Sequence, residues 1–158
     1  MDAEQAKLEI GDLVAPRDVV AQLRAPTKRQ VLQELARRAA SATGIADRRI
    51  YDALAERERL GTTGIGAGIA IPHCRLAELT RLHGLFARLE KPVPFEAIDD
   101  QPVDLVFLLL APLDAGAEHL KALALISRLL RDRAMCEKLR GANSADALYA
   151  LLTGGASG

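Results

Sequence analysis

His73 follows Pro72 and stands directly behind Gly61-Thr62-Thr63-Gly64-Ile65-Gly66-Ala67-Gly68, a segment with four glycines in eight positions. Glycine at that density supplies positive φ and lets backbone N–H groups approach a partner closely. The proline ring fixes φ, removes a backbone donor and holds Ile71 extended, so a strand through Ile69-Ala70-Ile71 ends there and presents the histidine at its tip. A neutral imidazole in that place can attack an electrophile near pH 7. A strand-end histidine with a satisfied ring is the structural alternative, and position does not choose between them. Two further side chains could complete a site. His119 falls near the start of an expected helix, where unpaired N–H groups and the macrodipole favour an anion. Arg57 lies near the end of the helix that feeds the glycine segment, where a guanidinium could grip a phosphoryl group at two points. The alternatives are a capping surface histidine and a solvated helix end, since Arg57 sits in Glu56-Arg57-Glu58-Arg59.

The glycine segment matches neither of the two common nucleotide loops. Gly61 and Gly66 have P-loop spacing, but Ala67 stands where that loop needs lysine. Gly64 and Gly66 are followed by Ile69 where a dinucleotide fingerprint needs its third glycine, and these glycines precede a strand instead of following one. The segment is expected to cradle an anion by other means, with Gly61, Thr62, Thr63, Gly64, Gly66 and Gly68 as phosphate-binding candidates.

Elements must hold these residues in place. Val19 to Leu23 reads as a short strand closed by Pro26, and Thr27 as the N-cap of a helix running to Thr43 and ended by Gly44. Val31, Leu32, Leu35, Ala39 and Ala42 fall on one face of that helix. Asp47 is expected to cap a second helix carrying Ile50, Tyr51 and Leu54 and stopped by Gly61. Gly84 to Leu89 and Val103 to Leu110 read as strands, the latter apolar enough to be covered on both faces. A helix from Ala117 to Arg131 carries Leu120, Leu123, Ile126 and Leu130, and a last one begins near Asn143 or Ser144. Strands alternating with helices give an α/β single-domain sandwich, a central mixed β-sheet flanked by helices.

Composition removes other classes. The chain of 158 residues fits one domain, with 49% hydrophobic and 27% charged residues. Lys+Arg and Asp+Glu number 21 each, so no basic footprint points to nucleic acid or to an anionic membrane. Cys74 and Cys136 form no CxxC or Cys/His run, which argues against a disulfide framework and a structural zinc site. The longest apolar stretch, Val103 to Pro112, is too short to span a bilayer, so no direct membrane insertion is expected. The acidic Met1-Asp2-Ala3-Glu4 start shows no apolar signal core, and a cytoplasmic location is expected.

The run from Arg57 to His73, RERLGTTGIGAGIAIPH, resembles the active-site signature of the fructose/mannitol-type IIA proteins of the bacterial phosphoenolpyruvate-dependent phosphotransferase system. Phe95 to Asp104 resembles the nitrogen-regulatory branch of that family, as do His119-Leu120-Lys121-Ala122-Leu123 and Ser127-Arg128-Leu129. The likeness runs from residue 8 to residue 152, leaving 1–7 and 153–158 as expected flexible termini. It implies a phosphohistidine relay. The residue matching His73 accepts a phosphoryl group on Nε2 from a phosphohistidine carrier protein, HPr-like and of the nitrogen branch. Those matching His119 and Arg57 line the same pocket, as a helper and as a stabiliser of the phosphoryl oxygens. Phosphorylation state then controls partners such as potassium transporters and sensor kinases. No cofactor and no metal are expected, because a P–N donor is already activated. The alternatives are a sugar-specific IIA subunit passing phosphate to a permease IIB domain, and a non-catalytic protein-binding module. One position departs from the family pattern: Cys74 stands where glycine usually follows the histidine, and a small, soft, core-facing residue is expected there. His83 matches nothing in the motif.

Overall fold

A computed structural model describes residues 7–154. Residues 1–6 and 155–158, most of the expected flexible termini, lie outside the described residues. Thr153, expected in the C-terminal tail, is instead the last residue of a helix, and Gly154 closes that helix in the left-handed region at φ 76°.

The sheet is built around one strand. β1 (Val19–Leu23), β2 (Gly64–Gly66), β3 (Ile69–Ala70), β4 (His73–Leu76), β5 (His83–Val93) and β6 (Val103–Pro112) form a mixed sheet of order β1-β5-β6-β3-β2, with β4 also on β6. β5 runs antiparallel to β6, while β3 and β4 follow one another in parallel along its other side. Side chains alternate across a strand, and in β6 both sets are buried. Leu105, Phe107 and Leu109 pack with the apolar faces of α3 (Ala117–Arg131), α4 (Arg133–Gly141) and α5 (Ala145–Thr153). Val106, Leu108 and Leu110 pack with α1 (Lys28–Thr43) and α2 (Asp47–Leu60). That is the three-layer α/β sandwich expected of so apolar a strand.

Local chemistry sets the boundaries. The Thr27 hydroxyl accepts the Gln30 N–H at 3.2 Å, and Gly44 ends α1 at φ 81°. Asp47, expected as the cap of α2, is its first helical residue; Ala46 is the N-cap and makes no side-chain bond, while Asp47 sits near the positive end of the helix dipole. Ser144 caps α5 by accepting the Ala147 N–H at 3.1 Å. The expected strand through Ile71 is split at Pro72, which has no N–H to pair. β3 stops at Ala70 and β4 begins at His73, yet register on β6 is kept because the Pro72 carbonyl accepts from Leu109 at 2.9 Å.

Candidate active site

β4 has β6 on one side, and along it, between α2 and α3, opens a cavity of about 720 Å³. His73 and Arg75 from β4, Arg49 and Arg57 from α2 and His119 from α3 all line it. The register places His73 beside Leu109 and Arg75 beside Ala111, two positions apart and therefore on the same sheet face. α3 starts directly after the turn that follows β6 and covers this face, so its first turn delivers His119, only 5% exposed, to His73. The two rings meet edge-on, 5.7 Å between centroids at 89°.

Hydrogen bonds fix which nitrogen of each ring carries the proton. His73 Nδ1 lies 2.8 Å from the Ile71 carbonyl oxygen. A carbonyl only accepts, so Nδ1–H donates and Nε2 is left with the lone pair. His119 has the opposite arrangement: its Nδ1 accepts the Nε–H of Arg75 at 3.1 Å, so the ring proton is on Nε2. Burial pushes the His73 pKa below the usual histidine value; the Ile71 bond opposes this, and the nearby Arg57 charge reinforces it. Burial likewise lowers His119, helped by His73 and Arg75. Both rings are therefore neutral at pH 7. One offers a nucleophilic nitrogen and the other an N–H donor.

His73, His119 and Arg57 share one cavity. Arg57 Nη1 donates to the Gly61 carbonyl at 2.9 Å, which ties the end of α2 to the loop that follows. Gly61, Thr62, Thr63, Gly64, Gly66 and Gly68 are placed elsewhere, and none of them lines this cavity. The N–H groups of Gly61, Thr63, Gly64 and Ala67 donate to Glu58 O, the Glu58 carboxylate, Thr62 Oγ1 and Asp99 Oδ2 respectively. The segment is a β-hairpin: Ala67 and Gly68, at φ 57° and 82°, turn β2 into β3 as a two-residue primed turn does. Gly64, Gly66 and Gly68 serve close packing; a Cβ on Gly64, for example, would lie 2.9 Å from Ala97 Cβ.

Arg75 and Arg49 were not singled out from the sequence. Arg75 stands two residues beyond His73 in β4, past Pro72, where the expected strand ends. Cys74 alternates to the opposite side of the sheet, where it packs with the core beneath α1 and α2 and also borders the cavity. Its backbone φ is not in the positive region, so the position has no need of the family's glycine. Burial pushes its thiol up to about 12, which leaves it protonated and inert. Among the described residues, no group of three or more His, Cys, Asp or Glu side chains could hold a metal ion, and no helix is long and apolar enough to cross a membrane. His83 opens β5, with Nε2 3.8 Å from Asp18 Oδ1, away from the cavity.

The family described as phosphoenolpyruvate-dependent sugar phosphotransferase system, EIIA 2, matches residues 12–154. The chain belongs to it. Among EIIA relatives, a nitrogen regulatory protein of Bradyrhizobium diazoefficiens is 54% identical over 145 residues, covering 92% of this chain and 95% of that protein. The crystal structure of the nitrogen regulatory protein IIA-Ntr from Neisseria meningitidis superposes with a TM-score of 0.87 at 33% identity, over 91% of this chain and 99% of that one. The Escherichia coli mannitol IIA enzyme, solved in complex with phosphorylated mannitol IIB, shares the fold with a TM-score of 0.75 at 21% identity, over 89% and 97% of the two chains. The mixed sheet between helices is thus the EIIA fold, and the nitrogen-regulatory likeness of Phe95 to Asp104 agrees with the names of these relatives.

Proposed function

We propose that this EIIA protein accepts a phosphoryl group on His73 Nε2 from the phosphohistidine of a small HPr-like carrier protein, and that partners read its phosphorylation state. The observation that carries this reading is the opposite tautomers of the two facing rings. In the step, the Nε2 lone pair forms an N–P bond as the donor's P–N bond breaks, and that bonding pair stays on the donor nitrogen. Nδ1 keeps its proton and goes on donating it to the Ile71 carbonyl oxygen, so no base is needed. His119 Nε2–H and the Arg57 guanidinium stabilise the three phosphoryl oxygens as in-line transfer spreads charge over them. A protein-sized donor suits the rim, where Leu60 and Leu120 are 79% and 65% exposed beside the cavity.

The regulatory branch is favoured over a sugar-specific subunit by the 54% identical nitrogen regulatory relative. Regulated partners of the potassium-transporter or sensor-kinase kind, and a cytoplasmic setting, belong to the same reading. The test is transfer from phosphoenolpyruvate through the general enzyme and carrier, followed by intact mass. Wild type is expected to gain one acid-labile phosphoryl group, His73→Ala none, and His119→Ala to label about 100-fold more slowly. Onward transfer to a permease IIB domain would favour the sugar-specific subunit. A wild type that stays unlabelled with a competent donor would leave a binding module as the reading.

A further inference from the structure

His119 can donate from Nε2 in two of its three proton states, as the Nε2–H tautomer and as the doubly protonated ring. The doubly protonated ring would add a further positive charge to a cavity that already holds three arginines beside Asp52 and Glu56, and the Nδ1–H tautomer would turn a lone pair toward the phosphoryl oxygens. Some group must select the Nε2–H form. Arg75 is the side chain in contact with the other nitrogen, its Nε 3.1 Å from His119 Nδ1. A guanidinium has five N–H donors, no acceptor and a permanent charge, so any hydrogen bond it makes to Nδ1 requires a bare nitrogen there.

We infer that Arg75 is a positioning residue for phosphoryl transfer: it pins His119 as the Nε2–H tautomer, with that hydrogen available to the group arriving at His73. The inference rests on the phosphoryl-transfer reading above. The architecture supports it on both sides. Arg75 reaches His119 because β4 puts it on the same face as His73, and its β6 neighbour on that face is Ala111, small enough to let a long side chain cross. His73 meanwhile is held in the complementary tautomer by a backbone oxygen that no side-chain substitution removes. The nucleophile is thus set by the main chain, and the donor by one arginine. Loss of Arg75 should disturb the second ring and spare the first.

The test uses the full chain with ring-15N histidine and three forms, wild type, Arg75→Met and Arg75→Lys. Long-range 1H–15N correlation spectra report which nitrogen of each ring is protonated. Wild type is expected to show a bare Nδ1 on His119 and a bare Nε2 on His73. Arg75→Met, which keeps the length of the apolar stem, should convert His119 to a tautomer mixture, leave His73 unchanged, and slow labelling from the phosphorylated carrier by about tenfold. Arg75→Lys, which restores a charged donor, should recover most of the wild-type tautomer and rate. A His119 spectrum identical in Arg75→Met and wild type overturns the inference, as does a shifted tautomer with an unchanged rate. Failure of the functional reading looks different: wild type takes no phosphoryl group, while the spectra still decide whether Arg75 holds His119.

Discussion

Glu58 accepts both hydrogen bonds that Thr63 donates, one from its backbone N–H at 3.2 Å and one from its hydroxyl. The same carboxylate receives Lys28 Nζ of α1 at 2.9 Å, with a side chain only 7% exposed. The last turn of α2 is thereby fixed to α1 and to the hairpin at once, and Arg57, the next residue back, is fixed with it. Neighbours in this charged run have opposite fates. Arg59 pairs locally with Glu56 at the surface, whereas Glu58 is an internal anchor.

Removing Glu58 should therefore cost stability out of proportion to a surface charge. Glu58→Ala leaves Thr63 without its acceptor and Lys28 with Glu96 alone, at 3.0 Å, and is expected to lose about 2 kcal/mol. Glu58→Gln keeps an acceptor and should lose less. Urea denaturation of both variants checks this; midpoints equal to wild type would mean that the anchor contributes nothing.

Acidity should weaken the fold through its histidines. Burial lowers the pKa of His73, His119 and His83 in the folded protein, against about 6.5 for an unperturbed ring. Below that value the unfolded chain binds more protons than the folded one, so stability rises with pH up to about 6.5 and these groups add no slope above it. Going down in pH, the loss begins near 6.5 and is complete below the folded values. Urea midpoints measured at about pH 5, 6 and 7 should climb in that order, and His73→Gln should flatten the climb. A midpoint that fell between pH 5 and 7 would contradict buried neutral rings.

Gly68 separates packing from phosphate binding. A Cβ there would lie 2.6 Å from Arg140 Nη2 and 2.9 Å from Asp104 Oδ1, at φ +82°. Arg140 has little freedom to move aside, because it holds Asp104 through two bonds and the Ala67 carbonyl through a third. Gly68→Ala is expected to lose about 2 kcal/mol while the folded fraction labels at the wild-type rate. If labelling of the folded variant slowed sharply, the loop would be contacting the phosphoryl group after all.

Leu120 should matter only to a donor large enough to touch it. Leu120→Asp places a charge on the apolar rim and is expected to raise KM for the phosphorylated carrier about tenfold with little change in kcat. Phosphorylation by a small donor such as phosphoramidate should be unaffected. Equal slowing with both donors would move the residue from docking to the chemistry.

Much of this was legible in the sequence because local signals and burial agreed. Thr27 and Gly44 bracket α1, and the apolar run of β6, interrupted only by Asp104, marks a strand covered on both faces. α4 was not legible. Arg131-Asp132-Arg133 looks like a frayed, solvated end of α3, and only Cys136 and Leu139 are buried in the nine residues that follow. Its start is written in one atom pair, Asp132 Oδ1 accepting the Met135 N–H at 3.1 Å. The glycine run is ambiguous for a related reason. Density of glycine signals close approach without saying to what, and here the partners are Ala97, Asp99 and Arg140 of the same chain. Arg75 was hidden because its value depends on a ring 44 positions away.

Both histidines hang from β6. His73 is registered to Leu109 through β4, and His119 follows from the chain leaving Pro112. Amides of a central strand buried on both faces exchange with solvent only when the whole domain opens. The spacing of the two rings is therefore as durable as the fold itself. On the phosphoryl-transfer reading, a phosphoryl group arriving between them would alter the electrostatic potential at the mouth of the cavity and leave the amide-exchange map of the sheet as it was. A partner that distinguished the two forms would then do so by sensing charge on a rigid surface.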